Sequence, residues 1–195
     1  MRIVLWVLVA MLATVGVSPT TAHAQLGAVL ISHPPSYEVG ESFEGVLEVG
    51  SDRFELTQDI FALRGELWLH AQLLQGGRVV RESLMNPATL MGAYEEEGVL
   101  VQTFSTTYRQ RDFFPIYIGK EYSYETFWSW PDKSVRLTKT KIKIEEARGE
   151  GLALTQVCGT QTDDIEKGDV ITTYFCLTAD GKWVASVTIL EVRRK

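Results

Sequence analysis

Few residues in this 195-residue chain have the types and spacing for chemistry. His33 and His70 are the only histidines beyond the leader, and neither has a second ligand at a helpful spacing. A zinc site needs three or four converging ligands, so no metal is expected. No Ser sits in a Gly-x-Ser-x-Gly elbow, so no hydrolase nucleophile is visible. Acidic runs occur at Glu95-Glu96-Glu97 and at Asp163-Asp164 with Glu166. They lie beside Gly98 and Gly168, which reads as solvated loops and not as a pair of glycosidase carboxylates. Asp163, Asp164, Glu166 and Asp169 lack the EF-hand spacing for calcium. No catalytic residue and no cofactor is expected.

Two groups remain. Cys158 and Cys176 are the only cysteines. They are not in a Cys-x-x-Cys arrangement and have no adjacent histidine, so a structural disulfide is expected. The second group is aromatic: Tyr117, Tyr122, Tyr124, Phe127, Trp128 and Trp130 fall in one arm. Tyr122, Tyr124 and Trp128 share parity and therefore one strand face, while Phe127 points the other way. Tyr122, Tyr124, Trp128 and Trp130 are the candidate ligand-binding residues, lining a cavity or filling a core.

The cysteines set a register. With Glu166-Lys167-Gly168 as a three-residue hairpin loop, and Gly168 in the left-handed position, Ile165 faces Asp169. Counting outwards places Cys158 opposite Cys176. Seven steps from a hydrogen-bonded closing pair gives a non-hydrogen-bonded pair, where Cα atoms lie about 4.5 Å apart. That is near the lower limit of disulfide reach.

The rest of the chain alternates with period two between Gly, Pro and Asp breaks. Strands are expected at Ser42–Val49, near 54–57, at Val99–Tyr108, Ser134–Glu146, Leu152–Cys158, Val170–Leu177 and Trp183–Val192. The region 60–85 has two readings. A helix would gather Ile60, Leu63, Leu67 and Leu74, but Gly65 interrupts it. Leu67, Leu69, Ala71 and Leu73 alternate, and Gln75-Gly76-Gly77-Arg78 is a two-residue turn signal, so a hairpin of Glu66–Leu74 with Val79–Leu84 is preferred. Trp130-Pro131-Asp132-Lys133 reads as a type I turn. Lys139, Lys141 and Lys143 share a face opposite Thr140, Ile142 and Ile144. This is a half-buried strand with a charged outer face, or alternatively an anion or glycan surface. The expected fold is all-β: an antiparallel sandwich or partly open barrel of about eight to ten strands.

Phe114-Pro115-Ile116-Tyr117-Ile118-Gly119-Lys120-Glu121-Tyr122 resembles a segment of exported bacterial β-rich proteins of unassigned function. In those, Phe-Pro-Leu, a Gly-Lys pair and a following aromatic open a strand. Here Ile116 stands where Leu is usual, and Tyr122 where Trp is common. The resemblance implies a β-rich exported protein and no particular activity.

The N-terminus agrees. Arg2, an uncharged apolar run from Ile3 to Val17 and the small residues of Ala22-His23-Ala24 form a secretory signal, with cleavage expected after Ala24. Residues 25–195 are then a single β domain, with a candidate internal boundary near 110–115. Gln25, not Cys, follows the cut, which argues against a lipid anchor, and no later stretch has transmembrane length. The net charge of −6 argues against nucleic acid as a partner. The function expected is that of a non-enzymatic periplasmic or secreted protein binding an envelope partner or an apolar small molecule. The alternatives are a structural or assembly role and, further off, an envelope hydrolase.

Overall fold

Period-two alternation runs through most of the chain, and the computed structural model turns it into thirteen strands and one helical turn. It describes residues 28–96, 99–150 and 153–194. The leader, its cleavage site, Glu97-Gly98 of the first acidic run and Gly151-Leu152 lie outside the described residues.

The elements are β1 (Val29–Ile31), β2 (Ser42–Val49), β3 (Asp52–Leu63), β4 (Glu66–Gln75), β5 (Arg78–Met85), β6 (Gly92–Glu96) and β7 (Val99–Phe104). They continue with α1 (Gln110–Phe113), β8 (Ile116–Tyr117), β9 (Glu121–Ser129), β10 (Val135–Glu150), β11 (Ala153–Ile165), β12 (Val170–Thr178) and β13 (Val184–Arg193). Eleven strands form a closed barrel in the order β10-β11-β12-β13-β2-β3-β4-β5-β6-β7-β9, and β9 returns to β10. An odd number of strands cannot alternate direction all the way round. The one parallel pairing falls between β13 and β2, where the two ends of the barrel sequence meet.

The expected hairpins are present. Gly76 and Gly77, both at positive φ, join β4 to β5. The β3 strand reaches from Asp52 to Leu63, well beyond the short strand expected there, because it pairs in full with β2 and β4. Gly92–Glu96 form the barrel strand β6, so Glu95 and Glu96 of the first acidic run, expected in a solvated loop, are strand residues.

Register follows the cysteines. Asp164 pairs with Val170 and Cys158 with Cys176, in a disulfide with a Cα separation of 4.0 Å. It lies on the outer face beside Ala185 and Tyr174, and both cysteines are fully buried. One detail of the turn differs. Lys167, not Gly168, takes the positive φ. Gly168 is needed for space: a Cβ there would lie 2.9 Å from Ile165 Cγ2.

Outer faces carry charge. Lys141 pairs with Glu121 at 2.8 Å, Lys143 with Glu145 at 3.1 Å and Lys139 with Glu125 at 3.8 Å, while Thr140, Ile142 and Ile144 are buried inside. His70 also faces outwards, against Glu82 at 3.0 Å. A lipid-facing barrel needs an apolar outer band, which charges on these strands interrupt. No helix among the described residues is long and apolar enough to cross a membrane.

One end of the barrel is capped. Residues 105–120 cross it, and β8 pairs with β1 there. The cap is tied to β10 through Gly119 N–H donating to Ile144 O and Ile144 N–H donating to Lys120 O, both at 2.9 Å. Phe113, Phe114 and Ile116 plug the opening. A close approach in the wall below makes Gly159 irreplaceable: a Cβ would lie 2.1 Å from Lys143 O. Gly159→Ala is expected to cost about 1–3 kcal/mol, read as a lower urea midpoint with an unchanged slope. A neutral result would mean that the β10–β11 bulge opens freely.

Candidate functional site

An eight-stranded barrel is just wide enough for its inward side chains to fill it, and eleven strands enclose more. What the inward positions of β9, β10 and β11 carry therefore decides whether the barrel is solid. Register stacks them in rungs: Thr126, Thr138 and Ile165; then Tyr124, Thr140 and Asp163; then Tyr122, Ile142 and Gln161. This wall is not an apolar core. Thr126, Thr138, Thr140, Gln161 and Asp163 are all buried, with Thr103 of β7 nearby.

A void of about 30 Å³ lies along this wall towards the open end of the barrel. Its lining includes Tyr124, Trp128, Trp130, Arg136, Gln161 and Asp163. Of the four aromatics expected to bind a ligand, the structure brings Tyr124, Trp128 and Trp130 together here. Trp128 packs edge-on against Tyr94 at 5.7 Å, and its indole N–H donates to Thr138 Oγ1 at 2.9 Å. Trp130 stands at the rim with the Arg136 guanidinium 5.2 Å from its ring centre. Tyr122 is elsewhere, under the cap. Its hydroxyl donates to Arg109 O at 3.2 Å and accepts from Arg109 N–H at 3.0 Å. Phe127 faces outwards and stacks on Phe104 at 5.2 Å.

Sequence reasoning missed the acid. Asp163 was expected in a solvated loop, but it is 5 % exposed and points into the barrel. The reason is length: β11 runs to Ile165, so Asp163 is still strand, and its odd parity with Val157 and Gln161 turns it inwards. Only Asp164 next to it reaches the outer face. The Asp163 carboxylate accepts from Thr140 Oγ1 at 2.6 Å and from Gln161 Nε2 at 2.7 Å. Both donors are neutral. Burial pushes its pKa up to about 6, against the pull of those two hydrogen bonds. Burial also holds the Tyr124 hydroxyl well above the usual phenol range, with the nearby Asp163 adding to the effect.

Gln161 is 2 % exposed; it donates one amide N–H to Asp163, and its carbonyl Oε1 is buried with no hydrogen-bond partner. Such a group costs about 1–3 kcal/mol, which a donor entering the void would offset.

A second void of about 100 Å³ lies under the cap, lined by Tyr37, Gln58, Tyr108, Phe113 and Phe114 among others. Met85 and Leu90 line both voids and form the partition between them. Among the described residues, no three His, Cys, Asp or Glu side chains gather as a metal site would require. His70, on the outer face, is in neither void.

Comparison of the chain with protein-family models, with curated proteins and with solved structures returned no match.

Proposed function

We propose that this chain is an exported, non-enzymatic binding protein whose barrel receives a small, largely apolar ligand at its open end, against Trp128 and Trp130. The observation that carries the reading is the unfilled space beside Tyr124, Trp128 and Trp130 in a closed barrel whose other end is plugged. Binding sites combine an aromatic lining with a few convergent polar groups, as this wall does. The outward-facing His70 leaves the cavity without the imidazole that most acid–base chemistry would draw on. An oxidising compartment is where a structural disulfide such as Cys158–Cys176 persists, which fits export to the periplasm or beyond. A role through sheet-edge pairing has less support. The eleven strands close on themselves, and among the described residues only the β1–β8 pair lies outside the barrel.

The test is titration of the full chain with phenylnaphthylamine, a neutral dye that brightens in apolar sites, alongside native mass spectrometry of protein from its own host. Saturable dye binding weakened about tenfold or more by Trp130→Ala is expected, since losing a packed aromatic is worth that much at a binding site. Trp130 is chosen because its ring is only half-buried at the rim, unlike the buried Trp128, so the fold survives its removal. No saturable binding, together with a bare chain in the spectrometer, would overturn the reading.

A further inference from the structure

Two acceptors with capacity to spare line the open-end void: the remaining lone pairs of the Asp163 carboxylate, which already accepts from Thr140 and Gln161, and the unpartnered Gln161 Oε1. The hydroxyls of Thr126 and Thr138 on the same wall can turn to donate or to accept. The rings of Tyr124 and Trp128 line the same space, and an aromatic ring offers a positive charge its face. The void is also small. At about 30 Å³ it admits a head group of about two water volumes, while the bulk of a ligand would lie outwards against Trp130.

We infer that the site takes the primary ammonium head of a small organic amine, with its N–H donors on Asp163 and Gln161 and its apolar body on Trp128 and Trp130. This rests on the reading of the barrel as a binder and names the class of ligand it binds. An ammonium presents three donors and no acceptor, which matches the Asp163 carboxylate and Gln161 Oε1. It also supplies the positive charge that neither neutral partner of Asp163 provides. The raised pKa of the carboxyl is the mark of a buried acid without such a counter-charge. Arg136, at the mouth of the same cavity, sits over the Trp130 ring. It is exposed to water, where its charge is screened from the buried carboxylate. The void under the cap has the opposite need: Gln58 is 2 % exposed, and its donor Nε2 has no hydrogen-bond partner. The two chambers therefore differ in the ligand atoms they would accept, and the ammonium belongs to the open end.

The experiment compares three probes of one shape, phenethylamine, phenethyl alcohol and phenylpropanoate, by calorimetry at neutral pH on the oxidised full chain. Phenethylamine is expected to bind at least about 30-fold more tightly than the alcohol, in the range of a charge-assisted hydrogen bond, with the carboxylate weakest. Asp163→Asn should erase that preference and leave the alcohol within about twofold, while Asp164→Asn, on the outer face, should change nothing. An alcohol that binds as well as the amine would overturn the ammonium inference and leave the cavity reading standing. So would a preference that survives Asp163→Asn, or failure of all three probes where phenylnaphthylamine still binds. Failure of all three probes and of the dye would overturn both.

Discussion

Asp163→Asn is expected to make the protein more stable at neutral pH, by about 2–3 kcal/mol, while abolishing its preference for amines. The carboxyl titrates at 3.8 when free and at about 6 in the fold. That gap corresponds to about 3 kcal/mol. Between those two pH values the folded protein holds a proton that the unfolded chain has released, so stability falls as pH rises through the window and levels off above about 6. The amide variant has no such proton, and its contribution is flat. Thr140 can still donate to the amide oxygen, and Gln161 can flip so that Oε1 accepts from the new amide nitrogen. That flip leaves its own N–H facing the void, which is why the gain is placed below the full gap. Every other group is common to the two proteins, so the difference between the two urea-unfolding series, taken from pH 4 to pH 8, isolates position 163. A variant less stable than the parent at pH 7.5, or a difference that does not change with pH, would show that the site holds its anion comfortably. A buried acid that weakens the fold is the usual signature of a group kept for binding.

Removing the disulfide should have the opposite pair of effects. Cys158→Ala with Cys176→Ala is expected to lower stability by about 3 kcal/mol, the chain-entropy value for a link across 18 residues. For a domain of this size that lowers the melting temperature by about 6–12 °C. Reduction of the parent protein should reproduce the loss. Amine binding should be unchanged, because the rung holding Asp163 against Thr140 belongs to the β10–β11 ladder and not to the cysteine pair. A loss under about 1 kcal/mol would mean that the hairpin already constrains the unfolded chain. Weakened binding would mean that the staple sets the geometry of the cavity wall.

The two experiments probe features that were unequally visible in the chain. Loop length and residue parity placed Cys158 opposite Cys176 before any fold was known, because a hairpin register is a local property. The same count, carried inwards, turns Asp163 to the face opposite the cysteines. That face could be identified as the interior only once β11 was known to have β10 on its other side. Read alone, Asp-Asp before a turn looks solvated, and one of the two is. The aromatic arm was legible as one strand with Tyr122, Tyr124 and Trp128 on a shared face. That Tyr122 serves the cap while Trp130 serves the mouth depends on what lies at each end of the barrel. Residues 92–96 did not read as a strand because Glu95-Glu96-Glu97 beside Gly98 looks like a solvated loop. Gly92 is there for proximity, since a Cβ would lie 2.3 Å from Leu84 O on the neighbouring strand.

Local sequence pattern carried the all-β class, the β4–β5 and β11–β12 hairpins, the register of the stapled pair and the alternation that separates Lys139, Lys141 and Lys143 from Thr140, Ile142 and Ile144. Each of these depends on residues within one hairpin of each other, where turn chemistry and period two act directly. The tertiary structure alone decided that the sheet closes, that it closes through the parallel β13–β2 pair and the β7–β9 pair, and that a plug covers one end. Those pairings join segments far apart in the chain, and no local pattern encodes which distant edge a strand will meet. Closure is also what puts Asp163, Gln161 and the two tryptophans around one space, because only a closed sheet turns the inner face of every strand towards the same axis.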